Sequence, residues 1–260
     1  MRRLLLLGAL ILLICFPAYA QEAPSNLEKT FTAGNALLEQ KKYVEALAEY
    51  RKILAVEPDL DGPLRNGAMA AYFAGDYKTA LAYYRKIKAS DHNDGFIRSK
   101  LVQVYQAIGD EKARDAERKD LITLHKSGKD TSSLAKRSDF CREQYRVGSH
   151  SILVYEPFVF APRSDDGYFA VRYQFIVADE SGKMKTRIEV GWNTVKKNSA
   201  GAYVPDSALS AYYFDAYYPT GAMARLTMGL FEQELSYTAT KAHVQAIVEG
   251  KIKPSGGTPR

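Results

Sequence analysis

The residues best placed for covalent chemistry are Cys141 and His150, which could face one another across a hairpin centred on Gly148-Ser149. A thiolate beside an imidazole is a nucleophile. Hairpin partners also meet by topology alone, and nothing else in the chain marks a site around this pair. His92, His125, His150 and His243 are scattered, and none stands in a metal-ligand spacing such as HExxH. Asp165-Asp166 adjoins Gly167 and reads as turn chemistry. Neither a glycine-rich phosphate loop nor a G-x-S-x-G elbow is present. The sequence therefore assigns no catalytic residue, no metal ligand and no cofactor, and it favours binding over catalysis.

Two sets of residues could bind. In the second half, Tyr203, Tyr212, Tyr213, Phe214, Tyr217 and Tyr218 crowd together. Strand alternation puts Tyr212, Phe214 and Tyr218 on one face and Tyr213, Asp215 and Tyr217 on the other. One face is core. The other is a candidate second surface that docks a domain or a protein, packs as an ordinary sheet face, or stacks sugar rings, since tyrosine is amphipathic and favoured at interfaces.

The other set lies in the first half, where Tyr43, Ala46, Tyr50 and Ile53 return 34 positions later as Tyr77, Ala80, Tyr84 and Ile87. A fixed period of that length means stacked helical hairpins. Ser25 with Glu28 has the form of a capping box, so a first helix runs from about Asn26 to Gln40 and a second from Tyr43 to about Val56, ahead of Pro58. Asp61-Gly62-Pro63 opens the next hairpin, and Gly75 can take the left-handed conformation that closes its first helix. Asp76 caps a helix ending near Ser90, and Phe96 to Ile108 begins a third copy. There Arg114 and Arg118 replace the small and aromatic residues of the register. Glu111, Lys112, Arg114, Asp115, Glu117, Arg118, Lys119 and Asp120 read as the solvated face of a terminal repeat.

These positions resemble the tetratricopeptide repeat over roughly residues 27 to 126, with Gly34, Ala46, Gly75 and Ala80 at close helix contacts and Pro58 closing a repeat. The resemblance implies a concave face made by the first helix of each hairpin. That face would carry Phe31, Asn35 and Leu38, then Arg65, Asn66, Met69 and Phe73, then Phe96, Lys100 and Gln103. Asn35 and Asn66 match asparagines with which the family holds an extended peptide backbone, and Lys100 matches a basic residue that receives a carboxylate. Phe31 and Phe96 stand where the family has two further basic residues. An apolar helix or extended segment of a protein partner therefore fits better than a free acidic C-terminus. The alternative is that the second domain or the N-terminal segment fills a groove of only three hairpins.

From Ser127 to Asp139 the chain is rich in Ser, Lys and Gly and reads as a linker. Beyond it the hydrophobic period is two. Runs at Cys141 to Val147, Ile152 to Phe160, Phe169 to Val177, Met184 to Trp192, Ala211 to Tyr218 and Ala224 to Phe231 predict six antiparallel strands. Tyr237 to Gly250 predicts a helix packed on them, and residues 254 to 260 a frayed tail. The fold class is α+β: a short tetratricopeptide-like α-solenoid over 25 to 126, a linker over 127 to 139, and an antiparallel β domain with a C-terminal helix over 140 to 253.

The first 20 residues have a basic start, an apolar run from Leu4 to Phe16 and an Ala18-Tyr19-Ala20 close, the form of a secretory signal peptide cleaved after Ala20. An uncleaved anchor is the alternative, although the run is shorter than the roughly 20 residues a span needs. Lipidation at Cys15 is disfavoured by Ile14 before it. Cleavage removes Arg2, Arg3 and Cys15, so the formal charge falls from +6 to +4 and Cys141 is left as a lone cysteine. No internal disulfide follows, and the charge is too mild to argue for nucleic acid. The sequence thus predicts a periplasmic or secreted, non-enzymatic interaction module that binds or scaffolds a cell-envelope protein through its concave groove. The alternative is a small ligand or glycan held by the tyrosine-rich β domain. Partner identity and oligomeric state are not legible.

Overall fold

The computed structural model describes residues 25–162, 168–206, 212–227 and 234–252. The expected signal peptide, Asp165-Asp166 and the tail lie outside these. Among the described residues no helix is long and apolar enough to cross a membrane.

Six helices form three antiparallel hairpins: α1 (Asn26–Glu39), α2 (Tyr43–Val56), α3 (Asp61–Phe73), α4 (Tyr77–Ser90), α5 (Gly95–Ile108) and α6 (Glu111–Lys126). Four of the six starts follow from side chains that accept the orphan amides of a first turn, whereas α2 and α3 begin after Lys42 and Leu60 without such a bond, and Asp61, expected as a cap, is instead the first residue of α3. Ser25 accepts from Glu28 N–H, Asp76 from Thr79, Asp94 from Ile97 and Asp110 from Ala113. Gly75 takes φ 80° after α3, a region closed to most side chains. The repeat signature forms the core of this half, with Ala46, Tyr50, Ile53, Ala80, Tyr84 and Ile87 all buried.

Gly34 shows why a glycine is needed between α1 and α2. A Cβ there would stand 2.8 Å from Tyr50 Cε1. Gly34→Ala is therefore expected to cost about 1–3 kcal/mol, because the Tyr50 ring must tilt out of a fully buried position. Urea unfolding followed by far-ultraviolet circular dichroism measures it, and a change within error of zero would mean the two helices are not packed this closely.

The linker is held in place. Gly95 N–H donates to Asp130 Oδ1, Phe96 N–H to Ser132 Oγ and Thr131 N–H to Asn93 O, and a 3-10 turn at Ser133–Lys136 buries Leu134. Leu134 joins Val102, Leu121, Phe140 and Phe158 in a small core between the two halves. Asp and Ser side chains of this polar stretch serve as anchors for the start of α5.

Among the described residues the second half forms a seven-stranded antiparallel sheet: β1 (Asp139–Val147), β2 (His150–Pro157), β3 (Tyr168–Ala178), β4 (Met184–Lys197), β5 (Tyr203–Pro205), β6 (Tyr212–Tyr217) and β7 (Met223–Thr227). The order is β1-β2-β3-β4-β6-β7, with β5 paired to the end of β4. β5 is the strand that the expectation of six lacks; three residues are too few to show alternation. Helix α7 (Tyr237–Val248) covers one face, where Ile152, Val154, Phe175, Ile188, Val190, Tyr212, Phe214 and Val244 form the core. The alternation expected for Tyr212 and Phe214 is observed, both being fully buried.

Candidate functional site

The inner helices α1 and α3 bring several of the expected groove residues together. Asn35 Oδ1 accepts from Tyr50 O–H and from Asn66 Nδ2, each at 2.8 Å. The two asparagines thus brace α1 against α3. Asn35 Nδ2 and Asn66 Oδ1 carry no hydrogen bond among the described residues. One donor and one acceptor, side by side, are the groups a peptide unit needs. Around them, Phe31 is half-buried with its ring centroid 5.9 Å from Tyr50, Met69 is half-buried, and Phe73 stacks on Tyr43 at 5.0 Å. Arg65 is held by Asp61 at 2.7 Å and by Asp94 at 2.8 Å, so its charge is already neutralised.

The α5 end differs from expectation. Gln103 is buried, and its Nε2 donates to Cys141 O at 2.8 Å. Tyr72 O–H from α3 reaches Gln144 O. Strand β1 therefore lies along the concave side of the last hairpin and takes the place of a guest there. Lys100 is half-buried, 5.2 Å from the Phe96 centroid, and burial holds its ammonium below the ordinary lysine value. No carboxylate pairs with Lys100 among the described residues. Phe96 keeps 38% of its surface exposed.

The solvated-face expectation for α6 fails at three positions. Arg114 and Glu117 are buried, and Arg118 reaches Glu156 on β2. The last hairpin does have a neighbour, the sheet. Glu156 also accepts from Arg142 Nη1 at 2.7 Å. Arg142 is the extra residue of a bulge between Cys141 and Glu143, so both Arg142 and Glu143 turn inward. The Arg142 guanidinium lies 4.1 Å from the Tyr237 ring centroid, while Glu143 accepts from Tyr237 O–H at 2.6 Å and pairs with Lys241. Burial first, and then the Glu143 charge, push the Tyr237 hydroxyl far above the ordinary tyrosine range. The two halves and α7 are thus tied by buried charges that a single sequence shows only as polar residues in strands and on a helix.

Cys141 and His150 do not meet. Tyr155 is opposite Cys141, and Val147 is opposite His150. The hairpin is where it was expected, but the two residues sit about 20 Å apart along it. Burial pushes the Cys141 thiol up, which disfavours the thiolate. Among the described residues no group of His, Cys, Asp and Glu could hold a metal ion.

The second-surface residues lie on the sheet face opposite α7, as the alternation implies, but two are not open. Tyr213 and Asp215 are buried, with 3% and 2% of their surface exposed. Tyr217 is half-buried, and the Arg187 guanidinium lies over its ring at 4.7 Å. Phe169 on β3 meets the Tyr213 ring edge-on at 5.6 Å, a contact that residue type does not reveal. Near the other edge of that face is a pocket of about 400 Å3, lined by Asp139, Tyr155, Pro157, Val171 and Gln174 among others. No motif announces it, because four separate segments assemble it.

No protein-family model matches the chain, and no curated protein matches it. Among solved structures, the chain is similar to a CopN–Scc3 complex at 14% identity and TM-score 0.37, over 38% of this chain and 58% of that one. It is similar to the Sgt2 TPR domain from Aspergillus fumigatus at 23% identity and TM-score 0.36, over 41% and 71%. It is also similar to PcrH in complex with the chaperone-binding region of PopB, at 15% identity and TM-score 0.36, over 40% and 86%. The chain thus spans less than two thirds of the length of the first of these.

Proposed function

We propose that this protein is a non-enzymatic interaction module of the cell envelope, exported by its N-terminal segment, which holds a short apolar segment of a partner protein against α1 and α3. The observation that carries the reading is the braced Asn35–Asn66 pair, with one amide donor and one acceptor left over, among Phe31, Met69 and Phe73. A peptide unit satisfies both groups, while apolar side chains of the guest cover the aromatic flanks. Strand β1 closes the α5 end, so the guest is short and contacts two hairpins.

A photo-crosslinking residue at Met69, in cells making the full chain, tests this against the same residue at exposed Ala48 on α2. One adduct is expected from position 69 and none from 48, and it should vanish when Asn66 and Phe73 are both alanine. No adduct at 69, or one that survives the double change, sinks the reading. Export is checked separately by sequencing the mature N-terminus, which should begin at Gln21.

A further inference from the structure

We infer that the pocket on the open face of the sheet is a binding site for a small neutral sugar of one or two rings. The inference is independent of the helical groove. The pocket lies where the end of α6, the start of β1, and β2 and β3 come together, and its volume of about 400 Å3 falls in the range of small-molecule sites. Junctions between domains are preferred places for such sites.

The chemistry of the lining selects the class. Pro157, Pro162, Val171 and the Tyr155 ring give apolar walls. Polar groups converge between them. Gln174 donates through Nε2 to Glu189, which leaves its Oε1 as an acceptor for the pocket. Asp139 binds Arg137 through Oδ1 at 2.9 Å and keeps Oδ2 as a second acceptor. The hydroxyls of Ser138 and Tyr155 carry no hydrogen bond among the described residues. A purely apolar guest would strand these groups, at the cost of an unmade hydrogen bond for each. The Asp139–Arg137 ion pair leaves no unpaired carboxylate, lysine or arginine at the lining, so neither an anion nor a cation finds a counter-ion of that kind there, while His125, which also lines the pocket, adds a buried Nδ1 that has no hydrogen-bond partner among the described residues. A neutral ring with hydroxyls at its edge and C–H groups on its faces satisfies walls and polar groups together, since sugars present both surfaces to aromatic and aliphatic side chains.

The site is separate from the Tyr213, Asp215 and Tyr217 row, which is largely closed, although both lie on the same sheet face. Gln174 connects them through Glu189, which is opposite Asp215 on the next strand.

Saturation-transfer NMR on the full mature chain, with glucose, galactose, N-acetylglucosamine and cellobiose at millimolar concentration, tests the proposal beside glucosamine and glucuronate. At least one neutral sugar should receive saturation, and both charged sugars should receive much less. Gln174→Ala and Tyr155→Phe should each weaken that sugar by about tenfold, the effect of one hydrogen bond. Circular dichroism of each variant confirms its fold, and an isotope-labelled Gln174 side-chain amide gives a second readout in the unaltered protein. Silence from all four neutral sugars overturns the proposal, as does equal binding of the charged ones or full binding by both folded variants.

Discussion

Glu156→Ala is expected to lower stability by about 3–5 kcal/mol, the usual loss when one partner of a buried ion pair is removed. Glu156 is 2% exposed and receives both Arg118 and Arg142. The cost is not shared evenly between them. The Arg118 side chain keeps 30% of its surface and can turn to water, whereas the Arg142 side chain keeps 5% and pairs with no other carboxylate among the described residues. Most of the loss is therefore the stranded charge of Arg142, wedged between the Tyr237 and Tyr173 rings. Arg118→Ala should cost less, about 1.5–3 kcal/mol for its charged hydrogen bonds. Added salt should change neither value much, because buried pairs are poorly screened.

The same variant reports on the junction. Trp192 sits in the sheet core and the helices dominate the far-ultraviolet signal, so two probes follow the two halves. In the unaltered protein they should unfold together. In Glu156→Ala the transitions should separate, since Arg118 is the charged link from α6 to the sheet. A loss below about 1 kcal/mol, the size of an exposed pair, would show that the network is open to water.

That network also marks the limit of what residue order reveals. The starts of α1 and α4 were legible because their caps are local: Ser25 and Asp76 each accept from an amide three residues on. Strands β3 and β4 were legible through alternation, in the runs from Phe169 to Val177 and from Met184 to Trp192. Arg118 was misread for the opposite reason. Its partner is 38 positions away on a strand, and nothing near α6 distinguishes a charge that meets a buried carboxylate from one that meets water. Gln103 has the same history, since its acceptor is a backbone carbonyl of β1. Within the groove the sequence placed Asn35 and Asn66 on the same concave face, through the resemblance of the hairpins to a known repeat. It could not show that the asparagines bind each other first. The pocket was invisible altogether, since Asp139, Tyr155 and Gln174 come together only through strand register.

The second large effect is expected at Gly191, where alanine should cost about 3 kcal/mol. A Cβ there would collide with the carbonyl oxygen of Ala170 and stand 2.9 Å from Val171 Cα. What decides the size is which atoms stand in the way. At Gly34 the obstacle is a tyrosine ring that can tilt about its own side-chain bonds, but at Gly191 it is the backbone of the adjoining strand. Strand β3 is close here because it bulges: Val171 is opposite Gly191 and Tyr173 opposite Val190, with Arg172 as the extra residue. Arg172 is in turn held by Glu234 at 2.9 Å and lies 4.1 Å from the Phe160 ring centroid, so the bulge cannot straighten freely. The strain must spread along β3 to Val171 and Gln174, both of which line the pocket. Gly191→Ala should thus lower the unfolding midpoint, shift the emission of neighbouring Trp192, and abolish neutral-sugar binding even where the protein remains folded. Gly34→Ala, of smaller cost and in the other half, should leave sugar binding intact. If Gly191→Ala folds with unchanged stability and emission, the bulge does not press on β4 and the close approach of the two strands is wrong.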